Sequence, residues 1–111
     1  MTLIRNIADF ETISGVASPA TTEANYWGGG EKTIAIYSNH ASANKWDGGT
    51  IKIQASLANA DTGWITLTDG EGADLSFTED SIFKLSIGKC KVRFVLSGAN
   101  GTAVDLVIKA S

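Results

Sequence analysis

With 111 residues, 43% of them hydrophobic and 19% charged, the chain has material for one domain around one core, not for two. Its net charge of −3, with nine basic residues scattered along the sequence, offers no basic stripe for phosphates and speaks against a nucleic-acid partner. No apolar run approaches the ~20 residues of a membrane-spanning helix, and a single cysteine, Cys90, rules out an internal disulfide.

A domain of this size buries roughly 65% of the surface its unfolded chain exposes, so one core can hold it without metal or disulfide staples. The charged share lies below the ~25% typical of globular domains. Polarity comes instead from Ser, Thr, Asn and 12 Gly, the residues of turns and exposed strand faces. The start, Met1-Thr2-Leu3-Ile4-Arg5, lacks the charged-then-apolar build of a signal peptide. Together with the lone thiol, this leads us to expect synthesis in a reducing cytoplasm.

In chain order, residues 1–14 carry Leu3, Ile4, Ile7 and Phe10, which suit either one short helical face or an extended arm. A strand is placed near 10–16. Residues 15–31 read as a long connection with Pro19 and the run Gly28-Gly29-Gly30. Connections of that length without a period of their own are often functional. Residues 32–38 read as a strand with Ile34 and Ile36 inward, followed by a polar loop closing on Trp46-Asp47-Gly48-Gly49.

From Gly49 onward apolar and polar residues alternate almost without interruption. Ile51, Ile53, Ala55 and Leu57 share one face, and Lys52, Gln54 and Ser56 the other. The same period returns in Leu75/Phe77, Phe83/Leu85/Ile87, Cys90/Val92/Phe94/Leu96 and Val104/Leu106/Ile108. A period of two means strands with one dry and one wet face, as in antiparallel sheets. Strands are predicted near 50–57, 63–68, 73–78, 81–87, 90–97 and 103–110. Their separators include Asp69-Gly70, Gly88-Lys89 and Asn100-Gly101, whose chemistry favours the positive φ angles of tight turns. The sum is an all-β fold: a single antiparallel β-sandwich, jelly-roll-like, of about eight strands, with a free N-terminal arm at residues 1–9. The expected core comprises Ile34, Ile36, Ile51, Ile53, Leu67, Leu75, Phe77, Phe83, Leu85, Val92, Phe94, Leu96, Leu106 and Ile108.

Candidate chemistry is sparse. Cys90 shares the phase of Val92 and Phe94 and reads as a small core residue, since no thiol partner exists and the one His lies in a different loop. Asp69, Glu71 and Asp74 share a glycine loop, but their spacing is not that of an EF-hand, and a hairpin turn with solvated acids is the simpler reading. His40 lies in a Ser/Asn loop without a nucleophile elbow. Glu79 and Asp80 are adjacent at a turn and would point to opposite faces of a strand. No catalytic group, metal or cofactor is indicated.

Tyr26, Trp27, Trp46 and Trp64 are the large aromatics nearest loops, and tryptophans there either plug the ends of a sandwich or meet a partner. Trp27, between Tyr26 and three glycines, is the best candidate for an exposed contact. Val95 and Val107 break the polar phase of the last two strands and are candidates for an oligomer contact.

Over roughly residues 46–111 the order of elements resembles small virion proteins of tailed bacteriophages. A Trp46-Asp47-Gly48-Gly49-Thr50-Ile51-Lys52-Ile53 strand leads into Gly63-Trp64-Ile65. Then come Leu75-Ser76-Phe77-Thr78, Gly88-Lys89-Cys90-Lys91-Val92-Arg93 and a Leu96-Ser97-Gly98-Ala99 turn. The functional class it looks most like is the capsid decoration, or cement, protein. The resemblance implies a protein without catalysis that binds the outer capsid lattice, with the major capsid protein as partner. It further implies a homo-oligomer, a trimer ahead of a dimer, on the virion surface. It gives no binding residues in the first 45 positions. There our own expectation is that Leu3, Ile4 and Ile7 of the arm, and Tyr26 and Trp27, make the contact. The alternatives are a carbohydrate-binding module that stacks sugars on Trp27, Trp46 or Trp64, and a head-tail or tail component.

Overall fold

The computed structural model describes residues 5–6, 11–14, 20–22, 24–38, 46, 48–58, 62–99 and 104–111. Eleven strands form among them: β1 (Arg5–Asn6), β2 (Glu11–Ser14), β3 (Ala20–Thr21), β4 (Asn25–Tyr26), β5 (Gly30–Ser38), β6 (Thr50–Ser56), β7 (Ile65–Thr66), β8 (Ser76–Phe77), β9 (Ser81–Ile87), β10 (Lys91–Ser97) and β11 (Asp105–Ala110). No helix occurs among the described residues. Leu3, Ile4, Ile7 and His40 lie outside them.

The strands make two sheets packed face to face. The first has the order β1-β4-β10-β6-β7, with β3 also on β10 and β8 also on β6. The second has the order β2-β11-β5-β9. Long central strands β6 and β10 pair antiparallel over seven residues, Thr50↔Ser97 to Ser56↔Lys91. Each is flanked by an edge broken into two short pieces, β3 and β4 on one side and β7 and β8 on the other. In the second sheet β5 is central, paired with β9 from Gly30↔Ile87 to Ile36↔Ser81 and with β11 from Ile34↔Ala110 to Ser38↔Leu106.

The two-residue period decides which side chains meet between the sheets. Ile51 and Ile53 of β6, and Val92, Phe94 and Leu96 of β10, face Ile34 and Ile36 of β5 and Leu106 and Ile108 of β11. All nine are buried. Leu67, Leu75, Phe77, Phe83 and Leu85 belong to the same cluster but are only partly buried. All five lie on or beside β7, β8 and β9, the outermost described strands on that side of the two sheets. Phe77 and Phe83 stack across that rim with ring centroids 4.3 Å apart, joining β8 of one sheet to β9 of the other.

Three sequence expectations need correction. The residue 15–31 connection holds β3 and β4, which together line one side of β10. It lacks a visible period because each piece is two residues long and the inward position of β4 is a buried Asn25. The arm is not wholly free: Arg5–Asn6 pairs parallel with Asn25–Tyr26, an exception to the antiparallel rule. The Gly88-Lys89 turn is not a ladder hairpin, since β9 and β10 lie in different sheets and the turn carries the chain between them.

The acidic loop is the hairpin turn expected. Thr68 bridges Asp74, and the Asp69 carboxylate accepts hydrogen bonds from the backbone N–H groups of Glu71 (2.8 Å) and Ala73 (3.1 Å). Asp69 is thus spent on its own turn. Asp80 is a tie between segments: its Oδ1 accepts from the Trp46 indole Nε1 at 2.8 Å and from the Ser38 backbone N at 2.9 Å. Hydrogen bonds to charged acceptors contribute about 1.5–3 kcal/mol. Asp80→Ala is therefore expected to lower the unfolding free energy by about 2 kcal/mol in urea melts, and an unchanged midpoint would contradict the tie.

Glycine is required most clearly at Gly28, Gly29 and Gly30, which take φ of 79°, 85° and 87° in succession. L side chains rarely adopt that region. At Gly49 the constraint is space: an added Cβ would lie 2.6 Å from a Leu96 methyl and 2.9 Å from the Trp46 carbonyl oxygen.

Candidate binding face

The period that buries one face of the first sheet exposes the other, and the strand register sorts that outer face into rows. Tyr26, Lys91 and Ser56 stand side by side in one row. Arg93, Gln54 and Thr66 make the next. Thr21, Val95, Lys52 and Ser76 make the third. Trp64, just before β7, meets the first two rows: the Arg93 guanidinium lies 4.2 Å from its ring centroid and the Lys91 ammonium 5.7 Å. Such contacts contribute about 0.5–2 kcal/mol each, more where water is excluded.

Polar groups tie the rows together. Arg93 Nε donates to Gln54 Oε1 at 2.8 Å, and Gln54 Nε2 donates to Thr66 Oγ1 at 3.4 Å. Lys52 Nζ lies 2.9 Å from Asp74 Oδ2. That pair is solvated on both sides, so it fixes geometry more than it adds stability. The face is therefore a hydrogen-bonded surface carried mainly by two long central strands.

Four of the nine basic residues, Lys52, Lys89, Lys91 and Arg93, lie on or beside β6 and β10, and three of them are engaged: Lys52 with Asp74, and Lys91 and Arg93 with the Trp64 ring. Lys89, Lys91 and Arg93 recur at every second position, and Lys52 faces Val95 across the ladder. The alternation that turns Val92 and Phe94 inward places Lys91 and Arg93 on the outer face, where Lys91 is covered to 7% exposure. Counting charge along the chain, without applying the strand period to it, missed the cluster.

At the Lys91 end of this face lies an open groove of about 230 Å³, bordered by Tyr26, Ser56, Leu57, Ala58, Lys89, Cys90 and Lys91. Leu57 is 83% exposed and Tyr26 40% exposed, two of the four large exposed hydrophobics among the described residues. Ser56 is committed to the turn: its Oγ donates to the Thr62 carbonyl at 2.6 Å and accepts from the Ala58 N–H at 3.1 Å. Burial pushes the Cys90 thiol above its ordinary value of 9.0, so it stays protonated near neutral pH. Its modification by a disulfide reagent at pH ~8 is expected to be slow in the folded protein and fast in denaturant. Equal rates would contradict the burial. The sign for stability follows. Above the ordinary thiol value the unfolded chain loses this proton first, so the Cys90 contribution to stability falls as pH rises past about 9.

The other sequence candidates fare unevenly. Trp27, expected as an exposed contact, is 1% exposed. Its indole Nε1 donates to the Gly30 carbonyl at 2.9 Å, and Lys32 lies 5.6 Å from the ring centroid. The three positive-φ glycines curl the backbone back so that this ring enters the core. Trp46 is equally buried. Tyr26, pointing the opposite way from its neighbour, does remain on the surface. Val107 points outward as expected but is only 6% exposed, between Thr12 and Tyr37 in its row. Val95 is half-buried between Thr21 and Lys52. The apolar side chain that the second sheet does expose is Ile82, at 74%. It lies on β9, an edge strand among the described residues. Its apolar identity at an outward position was legible in the sequence.

No protein family, no curated protein and no solved structure matches this chain.

Proposed function

We propose that the chain is a non-enzymatic structural protein of a tailed-phage virion, a capsid decoration or cement protein that binds the outer head surface and stabilises it. One observation carries the reading. Two motifs of the phage resemblance far apart in sequence, Gly63-Trp64-Ile65 and Lys91-Val92-Arg93, meet on one outer face, with the Arg93 guanidinium over the Trp64 ring. The partner in this reading is the major capsid protein. The protein acts as a homo-oligomer, a trimer ahead of a dimer, made in the host cytoplasm and held on the capsid surface.

The contact set begins with the arm residues Leu3, Ile4 and Ile7 and with Tyr26, and now includes the cationic face beside it. Trp27 leaves that set because it is buried. Between Val95 and Val107, Val95 is the better placed oligomer contact, since Val107 is already covered within the subunit. The carbohydrate-binding alternative loses two of its three platforms to the core, and its third, Trp64, carries Arg93 against the ring.

Stabilisation here is mass action. A ligand that binds only the assembled lattice raises its stability by about 2.7 kcal/mol per site when free ligand is a hundredfold above Kd. Immunogold electron microscopy of purified particles tests the location. Label distributed over the head surface is the expected result, and label on the tail alone or on no particle would overturn it.

A further inference from the structure

We infer that β9 pairs with β9 of a second copy of this chain, antiparallel, across a two-fold axis at Leu85. The inference stands apart from the capsid proposal. It uses an edge which that proposal leaves unassigned, and because it joins copies in twos it favours the dimer over the trimer. Three observations converge. First, the edge is well formed. β9 pairs with β5 at every residue from Ser81 to Ile87, and no proline, glycine or bulge interrupts it. On its other side no described strand pairs with it. Proteins blunt such edges with prolines, bulges or inward-pointing charges, and β9 has none of the three. Second, both faces of β9 leave apolar surface uncovered. Ile82, on the outer face, is 74% exposed. On the inner face Phe83, Leu85 and Ile87 are only partly buried, whereas Ile34 and Ile36 of the neighbouring β5 have no exposed surface. A strand added beside β9 extends both faces, with main-chain hydrogen bonds supplying affinity.

Third, the strand is complementary to itself, which is what an isologous contact needs. With Leu85 opposite its own copy, Phe83 faces Ile87 of the second copy and Ile87 faces Phe83, so the inner row is apolar throughout. On the outer face Lys84 faces Ser86 of the second copy. At both ends exposed Lys89 falls opposite Ser81, next to the exposed acids Glu79 and Asp80. Other arrangements lose these matches. A two-fold axis at Lys84 would set the two lysines against each other, and like charges directly opposite are destabilising. An axis at Phe83 would set Glu79 against Ile87. A parallel pairing would bring the two acidic ends together. A second copy in the Leu85 register thus supplies an apolar partner for each apolar inner residue and opposite charge at each end.

The test is the mass of the purified full chain by sedimentation equilibrium, from about 1 μM to about 1 mM, with amide hydrogen exchange followed over the same range. The expected result is a mass that rises with concentration from 11.6 kDa toward twice that value. Exchange should slow in step at every second amide of β9, those that point away from β5. Two substitutions at exposed Ser86 test the register. Ser86→Lys sets lysine opposite Lys84 twice in the dimer and should weaken it about fivefold, while Ser86→Glu sets an acid there and should tighten it by a similar factor. Within one copy Ser86 faces Glu31 across the β5 ladder, so the same substitutions act on folding in the opposite sense, and thermal melts separate the two effects. A mass of 11.6 kDa at every concentration would overturn the inference, as would a trimer. So would a dimer whose β9 amides ignore concentration, or equal effects of the two Ser86 substitutions. Protection of all β9 amides already in the dilute monomer would overturn it in favour of a cover supplied by the chain itself.

Discussion

Phe94→Ala is expected to lower the unfolding free energy by about 3–5 kcal/mol, the range for truncating a large buried aromatic. Phe94 has no exposed surface and stands at the centre of β10, opposite Ile53 and between Val92 and Leu96 on the inner face. The site has little freedom to collapse around the void. On one side β10 is held by the full β6 ladder. On the other, Thr22 clamps the Phe94 backbone: the Phe94 N–H donates to Thr22 Oγ1 at 3.0 Å, and the Thr22 N–H donates to the Phe94 carbonyl at 3.0 Å. Thr22 lies just past β3, in the gap between the two pieces of that edge, so a side-chain oxygen continues the pairing where the strand is interrupted. Domains of this kind have about 5–15 kcal/mol in total, so the variant should sit close to the limit of folding. Denaturant melts that lose less than ~1 kcal/mol would remove Phe94 from the centre of the account.

Trp27→Ala should be comparably damaging, by about 3–5 kcal/mol. An exposed contact residue would show the opposite pattern, with binding lost and stability kept. The ring is buried, the indole N–H holds the Gly30 carbonyl, and the Trp27 backbone N–H donates to the Cys90 carbonyl at 2.8 Å. The side chain thus fixes the path from β4 through the glycine run into β5, linking one sheet to the other. Trp27→Phe retains most of the burial and loses the indole donor, so a smaller loss of about 1 kcal/mol is expected. Tyr26→Ala, one residue earlier and 40% exposed, should stay within about 1 kcal/mol of the parent. If Trp27→Ala melts like the parent, the ring is not in the core.

The contrast between those neighbours shows where sequence reading works in this fold. In β5, β6, β9, β10 and β11 the period of two is long enough to declare which residues go inside, and burial follows it except at the covered outward positions Ser56, Lys91 and Val107. Glycine and Asp-Gly turns mark where those strands stop. They do not tell whether the chain turns back in the same sheet, as at 68–74, or crosses to the other, as at Gly88-Lys89. That choice depends on which partner strand is vacant, a long-range matter. Strands of two residues, such as β3 and β4, have no period to read. Trp27 was misjudged for a related reason. Three glycines normally mark an exposed loop, but here their positive φ angles turn the backbone so that the preceding ring is swallowed.

The binding face was half legible. Its cations occupy the wet positions of a strand whose dry positions were assigned with ease, so the same alternation contained the cluster. Its neighbours across the ladder were not legible, because register sets them. Nothing local says that Arg93 stands opposite Gln54 or that Trp64 comes beneath the guanidinium. Leu57 sits at the end of an inward series, Ile51, Ile53, Ala55, and would be expected in the core. It is exposed because β6 ends at Ser56, where the Ser56 hydroxyl closes the turn and carries the chain away from the other sheet.

The most direct measurement for the functional proposal is add-back to stripped heads. Mature heads would be freed of this protein, mixed with the purified full chain and sedimented, and their rupture temperature followed with and without it. Saturable co-sedimentation at a fixed ratio to the major capsid protein and a higher rupture temperature at saturation are expected. Protein that stays in the supernatant at every concentration, with rupture unchanged, would contradict the proposal.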